Sequence, residues 1–262
     1  MRNLNLTLLQ IDLRWQDPDA NRQAIEQQIS AVAGSSDLVV LPETFTTGYT
    51  MEAAAMAETH DGKTSTWLRE LATEHHTDIC GSVIIVDGNR YFNRLLWAGS
   101  DGQMQSYDKR HLFRTGGEHD KFTPGRERLI VEIGGWRVCP MICYDLRFPV
   151  WARNRGDYDL LLYVANWPSS RRSAWETLLP ARAVENLCYV AGVNRVGTDG
   201  NGVECAGGSM VADYLGHKLA LADDQPTALA AELSMEKLLR YREKFMAWKD
   251  ADEFVLETEP PA

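Results

Sequence analysis

Apolar positions along this chain repeat in two ways. "LTLLQI" (6–11) and "DLVVL" (37–41) are compact runs of strand length, whereas residues 18–33 between them set Ala24, Ile25, Ile29 and Val32 on one helical face. Pro18 directly after Asp17 marks that helix's start and its cap. A second helix is predicted over 64–76, "TSTWLRELATEHH", beginning at a Thr/Ser cap. "DICGSVIIV" (78–86), "YFNRLLWAG" (91–99) and "QMQSYDK" (103–109) then read as strands, with Asp87-Gly88 and Asp101-Gly102 supplying hairpin turns.

The second half continues in the same manner. Residues 128–143 give two strands around Gly134-Gly135. "DLLLYVANW" (159–167) is an almost unbroken apolar run, the pattern of a strand buried on both faces. Residues 173–187 are helical in pattern although Pro180 should kink that helix or shift its start. Strands are expected at 188–196, 207–213, 217–222 and 227–233, then a short helix and a polar tail. No linker, repeat or low-complexity tract interrupts the series. The expectation is a single α/β domain over residues 1–262, layered from mixed sheets and helices, with 242–262 as a C-terminal tail.

Composition narrows the function. The chain has 262 residues and a formal net charge of −10, which disfavours a nucleic-acid surface. No apolar run reaches membrane-spanning length, and "MRNLNLTLLQIDLRW" is too broken by polar residues for a signal peptide, so a cytoplasmic protein is expected. The five cysteines are an odd number, which argues against a disulfide framework, and the spacing of Cys139 and Cys143 is not that of a zinc site.

Three residues stand where apolar strands give out: Glu43 after "DLVVLP", Lys109 after "QMQSYD" and Cys143 after "WRVCPMI". In α/β folds that rim gathers sites. Singly, each has a plainer reading: Cys143 as a small core residue, Glu43 as a solvated loop acid, Lys109 as part of an exposed charge run. Jointly they suffice for amide hydrolysis without a histidine. A carboxylate takes the thiol proton, the thiolate attacks, an ammonium stabilises the oxyanion, and the same carboxyl protonates the leaving amine.

"LPETFTTGY", "YDKRHLF" and "CYDLRFP", in this order, resemble the nitrilase (carbon–nitrogen hydrolase) superfamily, and "ANWPSSRRSAWETLLPARAVENLCYVAGVNRVGTDGNG" extends the likeness. The resemblance implies a four-layer α-β-β-α sandwich, usually paired into a homodimer. It implies that Glu43 is the base, Lys109 the oxyanion cation and Cys143 the nucleophile. It adds a second glutamate, best matched by Glu118, which positions substrate and assists proton traffic, and the backbone N–H of Tyr144 as a further oxyanion donor. It implies no metal and no cofactor. Cys139, four residues before Cys143, would share its face on an extended strand; either it lies buried beneath the site or the strand breaks at Pro140.

"PETFTTGY", "CYDLRFP" and "ANWPSSRRSAWETLL" are most similar to the omega-amidase (2-oxoglutaramate amidase) branch, whose members hydrolyse the terminal amide of short 2-oxo dicarboxylate monoamides. A carboxylate-bearing small molecule bound by an acidic protein needs a local cation besides Lys109. Arg147, Arg110, Arg114, Arg171 and Arg172 are the candidates, with Phe45, Tyr49 and Trp167 as pocket walls. Cys205 stands where related sequences often carry an aromatic residue; it could line the dimer or pocket rim, while the glycines around it suggest a turn or a close backbone approach. A nitrilase proper, an N-carbamoyl hydrolase and a deaminated-glutathione amidase would use the same three residues. Rivals of other kinds are a Cys–His hydrolase using His111 or His217, and a catalytically silent binding protein.

Overall fold

The computed structural model describes residues 2–256. The first half runs β1 (Leu4–Gln10), α1 (Pro18–Val32), β2 (Leu38–Val40), α2 (Ala53–Met56), β3 (Glu58–Thr59), α3 (Lys63–His75), β4 (Asp78–Asp87), β5 (Arg90–Ala98) and β6 (Met104–Asp108). The second runs β7 (Val131–Ile133), β8 (Trp136–Ile142), α4 (Pro149–Ala152), β9 (Leu160–Ala165), α5 (Arg172–Asn186), β10 (Tyr189–Asn194), β11 (Val196–Thr198), β12 (Glu204–Ala206), β13 (Met210–Ala212), β14 (Lys218–Leu221), β15 (Thr227–Leu233) and α6 (Met235–Lys244). Of the expected tail, residues 257–262 lie outside the described residues.

Two mixed sheets form the centre. One has the order β15-β1-β2-β4-β5-β6, with β3 also on β4; the other has β14-β13-β10-β9-β8-β7. Within them β1, β2 and β4 are parallel, as are β8, β9 and β10. The sheets pack face to face through Leu8, Val40, Cys80 and Trp97 on one side and Val138, Leu162 and Val164 on the other. The first sheet's opposite face carries Leu9, Val39 and Ile79 against Ile25 and Ile29 of α1 and Leu68, Leu71 and Ala72 of α3. Trp175, Leu179 and Ala183 of α5 cover the second sheet. A Cβ on Gly192 of β10 would lie 2.7 Å from Leu179, so a side chain there would push the helix off the sheet. The result is a four-layer α-β-β-α sandwich. Strands covered on both faces explain the unbroken apolar runs.

Local details depart from the sequence reading in instructive ways. Asp17 caps α1 by accepting from Ala20 N–H, as expected. Helix α3 instead starts at Lys63 with Gly62 at the N-cap position, and Thr64 lies inside it; Glu58 takes the capping role by accepting from Thr64 N–H at 2.7 Å. Pro180 sits inside α5, which neither stops nor starts there. The hairpin β11-β12 was not foreseen, because its short strands carry no apolar alternation. Among the described residues no helix is long and apolar enough to cross a membrane.

Candidate active site

The strand β8 does not break at Pro140, which pairs with Leu162 of β9. It ends at Ile142, and Cys143 takes a left-handed backbone (φ 45°) as it opens a short 3-10 turn over Cys143–Arg147. A non-glycine residue held there is strained by roughly 1–3 kcal/mol. The turn re-aims Cys143 out of the strand's alternation, so it no longer shares a face with Cys139. Cys139 stays in the core, where burial pushes its thiol up to about 12. Cys143 keeps 9% exposure and lines a cavity of about 340 Å³.

Glu43 follows β2 in a turn whose next residue, Thr44, is also left-handed (φ 41°). Ser82 of β4 fastens that turn: its Oγ accepts from Thr44 N–H at 2.8 Å and its carbonyl from Phe45 N–H at 3.0 Å. Lys109 follows β6, its N–H donating to the Asn93 carbonyl at 2.9 Å. Glu118 is buried in a 3-10 turn and accepts from Phe113 N–H at 2.6 Å.

These side chains form one buried cluster. The Lys109 Nζ donates to Glu43 Oε1 at 2.8 Å and lies 2.9 Å from Glu118 Oε2. Asn93 Nδ2 donates to Glu43 Oε1 at 2.9 Å and to Glu118 Oε1 at 3.2 Å. The other Glu43 oxygen, Oε2, accepts from Asn166 N–H at 2.8 Å, and Asn166 Nδ2 donates to the Glu43 carbonyl at 2.5 Å. Burial works against the charge of Lys109, but the Glu118 and Glu43 carboxylates outweigh it and hold the ammonium well above its ordinary value. Burial, then the charge of Glu43, pushes the Cys143 thiol well up, with Lys109 opposing. A thiol held in this way would need a base in order to attack. Asn93 and Asn166 were missed from sequence. Asn93 had a signal, as a polar residue in mid-strand, and Asn166 another, as the polar residue just past β9.

The remaining predicted residues divide. Tyr49, Tyr144, Arg147, Trp167, Arg171 and Cys205 line the cavity with Cys143 and Lys109. The Tyr49 ring lies 5.4 Å from Lys109 Nζ, and burial pushes its phenol up. Arg147 stacks over Trp167 and Arg171 over Phe113, and neither has an acidic partner among the described residues. Phe45 does not line the cavity; it is fully buried in the layer between the first sheet and its helices, against Trp67. Arg172 turns to Glu176 one helical turn on, at 2.8 Å, and Arg110 donates to the Gly125 carbonyl. Arg114 is exposed and lies outside the cavity lining. Arg195, not foreseen, also lines the cavity, its guanidinium bound to Asp12. Cys205 sits on β12 beside a close approach: a Cβ on Gly207 would fall 2.4 Å from Gln10 Nε2.

Neither histidine acts as a partner for Cys143. The His111 Nδ1 donates to Asp145 at 2.8 Å and its ring stacks on Phe148, 3.7 Å between centroids. His217 is exposed beside Asp213.

Residues 5–243 match the carbon-nitrogen hydrolase family. The chain is 49% identical to omega-amidase YafV of Escherichia coli K12, over 98% of this chain and all of that one. It is 32% identical to 2-oxoglutaramate amidase of Bacillus subtilis, over 94% of this chain and 96% of that one. A solved CN-hydrolase superfamily protein of Xanthomonas campestris, with an arsenic adduct in its active site, superposes with a TM-score of 0.96 at 50% identity, covering 98% of this chain and all of that one. With fold, site geometry and sequence in agreement, the chain belongs to the carbon-nitrogen hydrolase family of the nitrilase superfamily and is a hydrolase of carbon–nitrogen bonds.

Proposed function

We propose that this protein is a cysteine-dependent omega-amidase that releases ammonia from the terminal amide of short 2-oxo dicarboxylate monoamides, 2-oxoglutaramate and 2-oxosuccinamate. One observation carries the reading. The buried Glu43–Lys109–Glu118 cluster and Cys143 adjoin a cavity that also presents Arg147 and Arg171, cations with no acidic partner among the described residues. The cluster supplies amide chemistry and the arginines supply a seat for a carboxylate. The names of the relatives from Escherichia coli and Bacillus subtilis support the substrate class.

In the proposed reaction Glu43 accepts the Cys143 proton as sulfur attacks the amide carbon. The oxyanion is held by the Lys109 ammonium and the Tyr144 N–H, at the start of the turn where a helical N–H has no partner within its own turn. The protonated Glu43 then gives its proton to nitrogen, the C–N bond breaks, and ammonia leaves a thioester. Glu43 next takes a proton from water, whose oxygen attacks the thioester; the C–S bond breaks and the thiol re-forms. Glu118 holds Lys109 and orients the amide. No step requires a metal or cofactor. Tyr49 and Trp167 wall the acyl chain, and Arg147 and Arg171 share its carboxylate.

The test is ammonia release by the parent and by Cys143→Ala from 2-oxoglutaramate, 2-oxosuccinamate, glutamine, asparagine, a simple nitrile and an N-carbamoyl amino acid. Turnover of the two 2-oxo amides, lost in Cys143→Ala, is expected. Preference for the nitrile or the carbamoyl compound would overturn the substrate assignment.

Two features of the setting belong to the same proposal. Val184 on α5 and Phe245, Met246 and Trp248 after α6 are exposed apolar residues, which suits pairing of two copies through this helical side. A monomeric mass by light scattering at micromolar concentration would refute the homodimer. All five cysteines are unpaired, which suits the reducing cytoplasm. Fractionation that finds the protein outside the cytoplasm would refute that placement.

A further inference from the structure

Asp145 is fully buried, does not line the cavity, and has no part in the reaction written above. Its carboxylate nevertheless accepts four hydrogen bonds. Oδ1 takes His111 N–H at 2.9 Å and His111 Nδ1 at 2.8 Å. Oδ2 takes the Tyr107 hydroxyl at 2.7 Å and Ile142 N–H at 3.1 Å. Tyr107 and His111 flank Lys109 two residues to either side, and Ile142 immediately precedes Cys143. One carboxylate therefore ties both sides of the lysine to the strained turn that carries the nucleophile. An ionised carboxyl offers about four acceptor sites, which matches the four donors; a carboxamide offers a single acceptor oxygen and cannot. The donors are themselves braced. Trp151 Nε1 and Arg110 N–H donate to the Tyr107 hydroxyl at 3.1 and 3.3 Å. The His111 ring is clamped on Phe148 with 5° between planes.

We propose that Asp145 is a positioning residue that sets the Lys109 ammonium against the Cys143 sulfur, with His111 and Tyr107 as its two arms. Sheet pairing cannot do this alone. Lys109 follows the edge strand of one sheet and Cys143 a strand of the other, so no backbone ladder fixes their separation. The Asp145 carboxylate bridges the two sheets at that point. This role explains why the sequence holds His111 beside the lysine without using it as a base.

The inference rests on reading Lys109 and Cys143 as a reacting pair, a reading that Cys143→Ala tests independently through loss of turnover. For Asp145, two measurements are decisive. In steady-state kinetics on 2-oxoglutaramate, Asp145→Asn should lower kcat by thirty- to a hundredfold with KM changed less than threefold. The second is the rate of Cys143 alkylation by iodoacetamide, with Cys143→Ser as the blank. Asp145→Asn should slow alkylation about tenfold in the parent, but no more than threefold when Lys109→Met is already present, because the group it positions has gone. A general loss of structure would slow both backgrounds equally, and that result would overturn the proposal, as would a kcat within threefold of the parent. Should Asp145→Asn fail to fold, the pair Tyr107→Phe and His111→Phe keeps the carboxylate and the stack on Phe148 while removing two of the four donors. It should show the same non-additivity with Lys109→Met, and additivity there would be equally fatal.

Discussion

Glu43 and Glu118 present their Oε1 atoms to the same two donors, the Lys109 ammonium and the Asn93 amide. Two buried carboxylates thus share one positive charge. Removing that charge leaves like charges facing each other away from water, and breaking a buried pair in this way costs about 3–5 kcal/mol. We therefore expect Lys109→Met to lower the unfolding free energy by about that amount as well as abolishing turnover. Denaturant melts beside an ammonia assay check this; a stability equal to the parent's would contradict the shared-charge arrangement.

Asn93 contributes a neutral donor to each carboxylate without lining the cavity. Asn93→Leu keeps the size and removes the donors. Of the two bonds lost, the one to Glu43 bears on the reaction, and a hydrogen bond to a charged group is worth about 1.5–3 kcal/mol, a ten- to hundredfold fall in kcat. KM should stay within about threefold because the substrate never meets this residue. Equal changes in kcat and KM would mean that Asn93 acts on binding.

The Cys143 thiol is held well above its ordinary value by burial and by the Glu43 charge. With the thiolate disfavoured, direct alkylation by iodoacetamide should climb with pH past the ordinary cysteine value of about 8.5 without levelling there. Glu43→Gln removes the proposed base and should reduce turnover by about a thousandfold, within the range of general-base catalysis. Alkylation should inactivate the enzyme and chelators should not. A plateau in alkylation below neutral pH would instead indicate a preformed thiolate, and restoration of chelated enzyme by zinc would indicate a metal.

Far from the cavity, Asp159 ties β8 to α6 through Arg137 at 2.8 Å and Arg242 at 2.7 Å. Burial works to raise its pKa, but the bonds to Arg137 and Arg242 prevail and lower it. A carboxyl lowered on folding contributes stability that is fully present above the unfolded value of about 3.9 and fades as pH falls through the lower folded value. Asp159→Asn should therefore melt earlier than the parent at pH 7, and the gap should close as pH is taken from about 4 downward. A gap that stayed constant from pH 7 to pH 2 would assign the loss to packing.

At each cavity arginine, exchange for methionine keeps the stem and removes the charge. With 2-oxoglutaramate, Arg147→Met and Arg171→Met should each raise KM by about tenfold, the loss of a charge-assisted contact of about 1.5 kcal/mol, with kcat little changed. An uncharged amide should show no such penalty. Unchanged KM in both variants would move the carboxylate seat elsewhere, with Arg195 the next residue to test.

What the sequence determined by itself follows from local rules. Strand length, helical period, the Asp17 cap and the Gly134-Gly135 turn are decided within a few residues, and they appear where the pattern places them. Glu43, Lys109 and Cys143 were legible as the polar or reactive ends of buried strands. The tertiary structure decided what depends on neighbours distant in the chain. It put Phe45 into the same helix-facing core as Leu41, while Glu43 between them leaves the strand alternation, just before the left-handed Thr44, to meet Lys109. It drew Arg172 to its own helix and left Arg171 over the cavity, a difference of one residue at a helix start. It recruited Asn93 from a strand of one sheet and Asn166 from just past a strand of the other to the Glu43 carboxylate, and Asp145 to the lysine's flanks. Periodicity records which face of an element is apolar. A buried polar group instead takes whatever donor or acceptor the folded neighbours bring within 3 Å or so, and that pairing is fixed only when the two sheets close on each other.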